Sequence, residues 1–443
     1  MTSIRYWLAT FTTVLALTPA QAQIEVTYWH SMGGFLGNAI SALVDEYNAS
    51  QDNVMVTPVY VGTYDDGINQ LQAGLQSGNV PHLIQVYDIG TRTLADIAQM
   101  APDIVVPLQT LLERDGIDPD IFIDTPTRYY TVDGQLYSVP FNASNPLMYF
   151  NADLFREAGL DPANPPTTIE ALDEALELLT VRDGAGNTER YGLVVDINSW
   201  FIEQLLYNRG SYYCNNENGR AGRATEVLWD SEEGRDIVRW WVDNVERGVM
   251  ANVGRDNNAA RQLFLAGQAA IYWSSSASMT VISSGVGDNF EMATAFMPYP
   301  EETGRNGVAV GGASLWLLGN HSDEEIEATW DFVRWLITPE VQAQWHMTTG
   351  YFPVTAASFD LPEVQAFHQE NPAFLTAIAQ LEASQANNAS AGCLMGGFPE
   401  VRGHLVSAME DIVNGNIALE EGLARAAERA NEAVARFNRL AAE

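Results

Sequence analysis

The feature that most constrains the fold is a regular alternation of strand and helix patterns near the N-terminus. Residues 24–30, 54–61 and 82–87 are short runs rich in apolar and β-branched residues and are predicted to be strands. The segments 34–48 and 65–76 between them carry apolar residues at helical spacing. Strands that are joined through a helix run parallel in the same sheet. The alternation therefore predicts a βαβ layout and places the chain in the α/β class.

Turn signals divide the rest of the chain. The Asp-Gly pair at 133–134 predicts a type I′ hairpin, with strands at 129–132 and 135–139. Two apolar strands are predicted on either side of the Gly-Gly pair at 311–312. Beyond Ser322 the pattern is almost entirely helical.

The chain has the length of at least two domains but lacks an obvious linker. A sequence of 443 residues exceeds the usual size of one hydrophobic core. Domain boundaries commonly fall in polar or Pro/Gly-rich segments. Here we predict that the chain crosses from one domain to the other in extended apolar segments near Pro140, Val310 and Tyr351. Several such crossings would form a stiff hinge between two lobes.

The first residues have the composition of an export signal. Arg5 precedes an apolar run at 6–17, and a small-x-small site follows at 20–22. The run is shorter than the roughly 20 residues that cross a bilayer. We therefore expect residues 1–22 to be a cleaved signal peptide and the mature protein to begin at Gln23 in a periplasm. The cleavage site contains no Cys, so it carries no signal for a lipid anchor. A buried N-terminal helix is the alternative interpretation of this segment.

The charge balance excludes several kinds of partner. The sequence has 57 acidic and 22 basic residues, a formal net charge of −35, while 47% hydrophobic residues suffice for a sizeable core. An acidic surface of this kind repels nucleic acid and anionic lipid. It suits a saline environment, in which salt screens the self-repulsion.

All the basic residues are Arg, and the sequence contains no Lys. A P-loop, a Schiff-base enzyme, a protein kinase and a Ser-x-x-Lys hydrolase each need a specific Lys. The composition excludes these classes.

Cys214 and Cys393 are the two cysteines of the chain, each in a polar loop. In an oxidising compartment they could form one disulfide; two unpaired thiols are the alternative. Because there is no Cys-x-x-Cys motif, neither a thioredoxin-like site nor a zinc ribbon is available.

Several short motifs occur along the chain in a distinctive order. They are Tyr28-Trp29-His30-Ser31-Met32, Gln85-Val86-Tyr87, Pro140-Phe141-Asn142, Gly311-Gly312-Ala313-Ser314-Leu315-Trp316, and Trp345-His346 with Thr349-Gly350-Tyr351. In this order and spacing, from about residue 24 to the end, they resemble the periplasmic sn-glycerol-3-phosphate-binding proteins of Ugp-type ABC importers. That family belongs to the maltose-binding-like (family 1) extracellular solute-binding proteins.

The resemblance implies a two-lobed α/β fold of the periplasmic-binding-protein type (type II, Venus-flytrap) with interlobe hinge strands. Lobe 1 would comprise residues 23–142 and 312–352, and lobe 2 residues 143–311 and 353–443. The ligand, glycerol 3-phosphate or a related phosphodiester, would bind between the lobes and pass to the membrane subunits of an ABC permease. The resemblance further implies a monomer with no catalytic residue, cofactor or metal.

The resemblance also assigns ligand contacts to particular residues. Arg402 matches the phosphate ligand, and Pro399 places it near a helix N-terminus. The Arg fork can hold two phosphate oxygens. Ser275 lies in a Ser cluster where a strand ends and a helix starts, an arrangement that can cradle an anion. An Arg paired with a surface carboxylate is the alternative for Arg402.

The remaining matched positions supply polar and apolar contacts. Tyr64 and Tyr351 match phenol contacts, Ser144 a hydroxyl contact, and Gly312 a close approach of the backbone to the ligand. Trp200 is a weaker candidate for an aromatic wall. Packing of the two Tyr and a tight turn at the Gly are the structural alternatives.

Two positions depart from the family pattern. Asp88 stands where the family commonly has a Glu that binds the glycerol hydroxyls, and its carboxylate reaches one methylene less far. Asn145 stands where a small Thr-like residue is expected. The shorter carboxylate of Asp88 implies either a bridging water or a different ligand, for example a glycerophosphodiester with a head group.

Two other functions are compatible with parts of the sequence. An oligosaccharide-binding protein would use paired carboxylates and aromatic stacking. A secreted glycosidase or phosphodiesterase would need opposed carboxylates, and among 57 acids some pair will suit. The sequence has neither a His-Glu-x-x-His metal motif nor a Gly-x-Ser-x-Gly elbow. We therefore expect a binding protein, not an enzyme.

Overall fold

A computed structural model describes residues 23–442. The strands, in chain order, are β1 (Ile24–His30), β2 (Val54–Tyr60), β3 (Leu83–Tyr87), β4 (Val105–Val106), β5 (Thr131–Val132), β6 (Gln135–Leu136), β7 (Val139–Ser144), β8 (Pro146–Asn151), β9 (Val181–Arg182), β10 (Thr188–Val194), β11 (Met250–Ala251), β12 (Ala269–Ser275), β13 (Met292–Ala295) and β14 (Gly311–Leu318). The proposed signal peptide at 1–22 lies outside the described residues.

Helices fill most of the intervening chain. They are α1 (Gly34–Ser50), α2 (Tyr64–Ser77), α3 (Thr91–Met100), α4 (Leu108–Asp115), α5 (Asp124–Tyr130), α6 (Ala152–Glu157), α7 (Ile169–Leu179), α8 (Ser199–Asn208), α9 (Asn215–Gly219), α10 (Glu232–Glu246), α11 (Asn257–Leu265), α12 (Met279–Val286), α13 (Asp323–Leu336), α14 (Pro339–Thr349), α15 (Pro362–Glu370), α16 (Leu375–Glu382), α17 (Phe398–Val413) and α18 (Leu419–Leu440). Within the described part, none is long and apolar enough to span a bilayer.

The first sheet has the order β2-β1-β3-β14-β4, with β7 also paired to β14. β1 runs parallel to β2 and β3, as the strand–helix alternation predicts. β14 returns from a distant part of the chain and pairs antiparallel with β3. The apolar face of α1, formed by Ile40, Leu43, Val44 and Tyr47, is buried in the core of this sheet.

The second sheet has the order β11-β10-β12-β8-β13. β10 is parallel to β11 and β12, whereas β8 is antiparallel to β12 and β13. β8 and the core of β12 are buried on both faces, as expected for a sheet with helices on each side. The two sheets with their helices form two lobes of an α/β protein, as predicted.

The chain passes between the sheets at Asn145. β7 belongs to the first sheet and ends at Ser144, and β8 starts in the second sheet at Pro146. A bridge between Ala143 and Phe352 brings a second extended segment to the same place. The structure thus puts the change of sheet slightly after the predicted boundary at residue 142. The full division into lobes stays a prediction.

The hairpin is shorter than predicted. Asp133 and Gly134 both have positive φ, 52° and 80°, as a type I′ turn requires. However, Tyr129 and Tyr130 end α5 and are not strand residues. Both rings are buried, and the Tyr129 hydroxyl donates a hydrogen bond to the carbonyl of Cys393. Tertiary packing therefore overrides their β propensity.

The prediction of two strands around the Gly-Gly pair at 311–312 is wrong. The pair begins the single strand β14. The preceding N–H groups of Val308 and Ala309 donate to the side chains of Ser384 and Gln204, at 3.2 and 2.8 Å. Because these donors bind side chains, residues before the pair form no sheet ladder.

Candidate ligand-binding site at the junction of the two sheets

Asp88 and Arg402 meet where the first sheet faces the C-terminal helices. Asp88 begins a 3₁₀ turn directly after β3, at the carboxyl end of the parallel strands, where ligands of open α/β sheets usually bind. Arg402 lies in the second turn of α17, and Pro399 is in the first turn as the sequence predicts. The Arg402 Nη2 atom lies 3.8 Å from Asp88 Oδ2.

The main partner of Arg402 is Glu203, which the sequence analysis missed. Nε and Nη2 of Arg402 donate to Oε1 and Oε2 of Glu203, both at 2.7 Å. The hydroxyl of Ser199, one turn earlier in α8, donates to Oε1 at 2.9 Å. Glu203 is only 2% exposed. Its signal in the sequence was an acid within the apolar segment 201–206, because a charge there needs a buried partner.

Burial and these charges set the protonation of the site. Burial raises the pKa of Asp88 to about 6, while Arg402 acts to lower it and Glu203 to raise it. Burial alone would lower the pKa of Arg402, but Glu203 and Asp88 outweigh burial and hold it well above its ordinary value. The guanidinium is therefore a fixed positive charge between two carboxylates.

Tyr64 and Tyr351 come together around Asn142. The Asn142 amide donates to the Tyr64 hydroxyl at 3.3 Å and accepts a hydrogen bond from Gln85 at 2.8 Å. Burial raises the pKa of Tyr351 to about 12, against the opposing effect of hydrogen bonds with Asn142 and Tyr64. Tyr64 also stacks on Tyr87, with ring centroids 5.0 Å apart. The two predicted phenols thus share one polar cluster.

Gly312 and Ser144 lie on paired strands beside this cluster. Gly312 is opposite Ala143, and Ser144 is opposite Gly311. Gly312 has a φ of 104°, and a Cβ atom there would lie 1.8 Å from the carbonyl oxygen of Asn142. Only glycine fits this backbone.

The Trp200 ring covers the same strands. A Cβ atom at Gly311 would lie 2.8 Å from its Cζ2 atom. Trp200 and Glu203 lie on the same helix, α8, so this helix brings an aromatic ring and the carboxylate partner of Arg402 to the junction.

Ser275 occupies the predicted strand end but bonds locally. It is the last residue of β12, and its hydroxyl accepts the N–H of Ala277 at 3.2 Å. The next residue, Ser276, exchanges hydrogen bonds with Asn145 through its N–H and its hydroxyl. The Asn145 amide in turn donates to the Ala377 carbonyl at 2.7 Å. Ser275 therefore lies beside the crossing point, and within the described residues no hydrogen bond joins it to Arg402.

Comparison with known proteins decides the family. Residues 42–376 match the family model described as bacterial extracellular solute-binding protein. The chain belongs to this family. The solute-binding protein is 30% identical to the sn-glycerol-3-phosphate-binding periplasmic protein UgpB of Pectobacterium atrosepticum, over 94% of this chain and 93% of the relative.

Two solved structures have the same fold as the solute-binding protein. UgpB from Mycobacterium tuberculosis in complex with glycerophosphocholine superposes with a TM-score of 0.77 at 20% identity, over 94% of this chain and 99% of that chain. The cyclic α-maltosyl-1,6-maltose binding protein from Arthrobacter globiformis gives 0.70 at 25% identity, over 93% and 99%. The same fold is thus found in a complex with a phosphodiester and in a protein named for binding a sugar.

Among residues 23–442, one cluster of possible metal ligands lies outside this site. It contains His82, His321 and Glu325. His82 Nδ1 accepts the N–H of Thr27 at 2.9 Å, so in the neutral ring Nε2 carries the proton. His321 Nε2 lies 2.9 Å from the Pro81 carbonyl, to which it can only donate. His82 in this orientation therefore offers no lone pair to a metal.

The pKa of Asp88 predicts a pH effect on the solute-binding protein without ligand. A folded-state pKa of about 6 exceeds the unfolded value of about 3.9. Asp88 thus contributes most to stability below pH 4, and this contribution is lost as the pH rises through 6. We expect Asp88→Asn to raise the free energy of unfolding by roughly 2 kcal/mol more at pH 7.5 than at pH 4.

Urea denaturation at the two pH values measures this difference. The exposed Asp52→Asn is the matched control and should show no such difference. An Asp88→Asn effect of equal size at both pH values would contradict the assignment.

Proposed function

We propose that this protein captures sn-glycerol 3-phosphate or a glycerophosphodiester between its two lobes and delivers it to the membrane subunits of an ABC importer. The proposal rests on the hydrogen bonding of the Arg402 guanidinium. Its Nε/Nη2 edge holds Glu203, whereas its Nη1 group binds no protein acceptor within residues 23–442. The Nη1 side can therefore bind ligand oxygens while the Arg stays paired. In a chain of net charge −35, an anion needs such a dedicated partner.

The remaining residues fit the two ends of such a ligand. Asp88 and the phenols of Tyr64 and Tyr351 provide hydrogen bonds for glycerol hydroxyls. Ser144, Ser275 and the backbone at Gly312 provide further polar contacts. Trp200 packs against carbon atoms. The names of the UgpB relatives support this ligand class. These roles are proposals that follow from position and chemistry.

Closure of the lobes would couple binding to transport. Arg223 binds both oxygens of Asp96, with Nη1 at 3.0 Å from Oδ1, and so joins the second half of the chain to α3. Arg220 donates to the carbonyls of Arg128 and Tyr129, both at 3.2 Å. A ligand that contacts both lobes adds to these contacts and shifts the population towards the closed form. The protein would act in the periplasm as a monomer, after loss of residues 1–22.

An oligosaccharide is the second candidate ligand. Asp88 and Glu203 are two carboxylates on one Arg, and Tyr64, Tyr87 and Trp200 provide aromatic faces nearby. Paired carboxylates and aromatic rings are what a sugar site would use. The Arthrobacter maltoside-binding structure has this fold.

Titration calorimetry distinguishes these ligands. We expect micromolar binding of glycerol 3-phosphate or glycerophosphocholine, corresponding to about 8 kcal/mol, and no binding of maltose. Phosphate and choline release are followed in the same samples, and neither should be detected. Binding of maltose alone would replace the proposed ligand, and steady release of inorganic phosphate would replace the binding function by hydrolysis.

A further inference from the structure

Glu203 adds a second negative charge to a site in which Asp88 and Arg402 alone would balance each other. Asp88 and Glu203 are buried, Arg402 is half-buried, and the two acids oppose a single base. When all three are ionised, one negative charge is unbalanced before any ligand binds. A phosphate that enters must therefore bind Arg402 beside two carboxylates.

We propose that Glu203 is a specificity-determining residue that makes the site select singly charged glycerophosphodiesters over doubly charged phosphomonoesters. This inference rests on the proposed function and narrows it to one class of ester.

The structure indicates that Glu203 stays in place when ligand binds. Its two oxygens take up the Nε/Nη2 edge of Arg402, and the Ser199 hydroxyl donates to one of them. Moving Arg402 away would leave a carboxylate that is 2% exposed without its charged partner. The ligand therefore approaches the free Nη1 side of Arg402 and does not replace Glu203.

The ligands differ in charge at the phosphorus. A phosphomonoester has a second ionisation near pH 6 and carries about −1.5 to −2 at pH 7. A phosphodiester lacks this second proton and carries a single negative charge. Glu203 offsets part of the positive charge of Arg402, so Arg402 attracts the extra charge of a monoester less strongly than an unpaired Arg would. Asp88 repels this extra charge as well.

The size of the effect follows from the separation of these charges. A ligand oxygen on the Nη1 side would lie about 6 Å from the Glu203 carboxylate, and an effective dielectric of about 40, between that of a protein surface and that of water, makes one extra charge there cost about tenfold in affinity. The two carboxylates are buried, so salt screens this repulsion only weakly.

The test compares two ligands that differ mainly in charge. Glycerol 3-phosphate is the doubly charged ligand, and its phosphate methyl ester is the singly charged one without a head group. Dissociation constants at pH 8 are measured by calorimetry for the wild-type protein, Glu203→Gln and the matched control Glu174→Gln. Glu174 is exposed on α7.

We expect the wild-type protein to bind the methyl ester about tenfold more tightly than the monoester. Glu203→Gln should reduce this ratio about tenfold, mainly through tighter binding of the monoester, and Glu174→Gln should leave it unchanged. A merely structural role of Glu203 would weaken both ligands together and leave their ratio as it was. Glu203→Leu, which also removes the charge, has the same expected ratio and replaces the Gln variant if that variant does not fold.

Two results would overturn the inference while the proposed function stands: a wild-type ratio below about three, or an unchanged ratio in the Glu203 variants. Failure of the wild-type protein to bind either ester is a different outcome. It would overturn the proposed function, and the inference with it.

Discussion

Replacing Arg402 by alanine is expected to raise the dissociation constant for the glycerophosphate ligand at least about 100-fold, since truncating one partner of a hydrogen-bonded charge pair costs roughly 3 kcal/mol or more. The change removes the one Arg that forms ion pairs with Asp88 and Glu203 within residues 23–442. Phosphate would then meet two carboxylates without a counter-charge. Calorimetry with the wild-type protein and the variant measures the loss.

Loss of Arg402 also affects folding, and the controls separate the two effects. Glu203 would remain buried without its partner, which destabilises a protein strongly. Arg402→Met combined with Glu203→Leu removes the pair together and should recover most of the stability but not the binding. Arg429→Ala on the exposed face of α18 should change neither. An unchanged dissociation constant in Arg402→Ala would remove Arg402 from the site.

The parts of the fold that local pattern determines were predictable. The segments of β1, β2 and β3 and the helices between them follow from spacing along the sequence, and spacing is a local property. The position of Arg402 near the start of α17 followed from Pro399, because proline favours the first turn of a helix.

The contacts that complete the site were not predictable, because they join distant parts of the chain. Glu203 and Arg402 are 199 residues apart, and neither position indicates the other. Asn142 connects Tyr64 to Gln85 through a contact that exists only when β7 lies beside β14. An acid in an apolar helix indicates that a partner exists but does not identify it.

The same limit explains the errors in secondary structure. Tyr129 has high β propensity, but its hydroxyl binds the Cys393 carbonyl 264 residues away, and α5 extends to hold it there. The N–H of Ala309 binds Gln204 and not a neighbouring strand. In both cases a partner remote in sequence decides the local conformation.

The disulfide between Cys214 and Cys393 is expected to account for a large part of the stability. It joins residues 179 apart in sequence, with Cα atoms 6.1 Å apart. Closing a loop of this length in the unfolded chain is worth about 4–5 kcal/mol. The cross-link also holds a strained segment, because residues 216–218 give the short element α9 a left-handed turn, with φ of 53°, 54° and 60°. Left-handed non-glycine residues cost of order 1 kcal/mol each and persist only where their surroundings fix them.

Cys214→Ala combined with Cys393→Ala should therefore lower the free energy of unfolding by about 4–5 kcal/mol in urea titrations under oxidising conditions. Alanine is the suitable replacement because both side chains are at most 1% exposed, and a buried hydroxyl would add a cost of its own. Dithiothreitol supplies the control: it should bring the wild-type protein to the stability of the double variant and leave that variant unchanged. A double variant as stable as the oxidised wild-type protein would mean that the contacts around residues 214 and 393 hold this region without the cross-link.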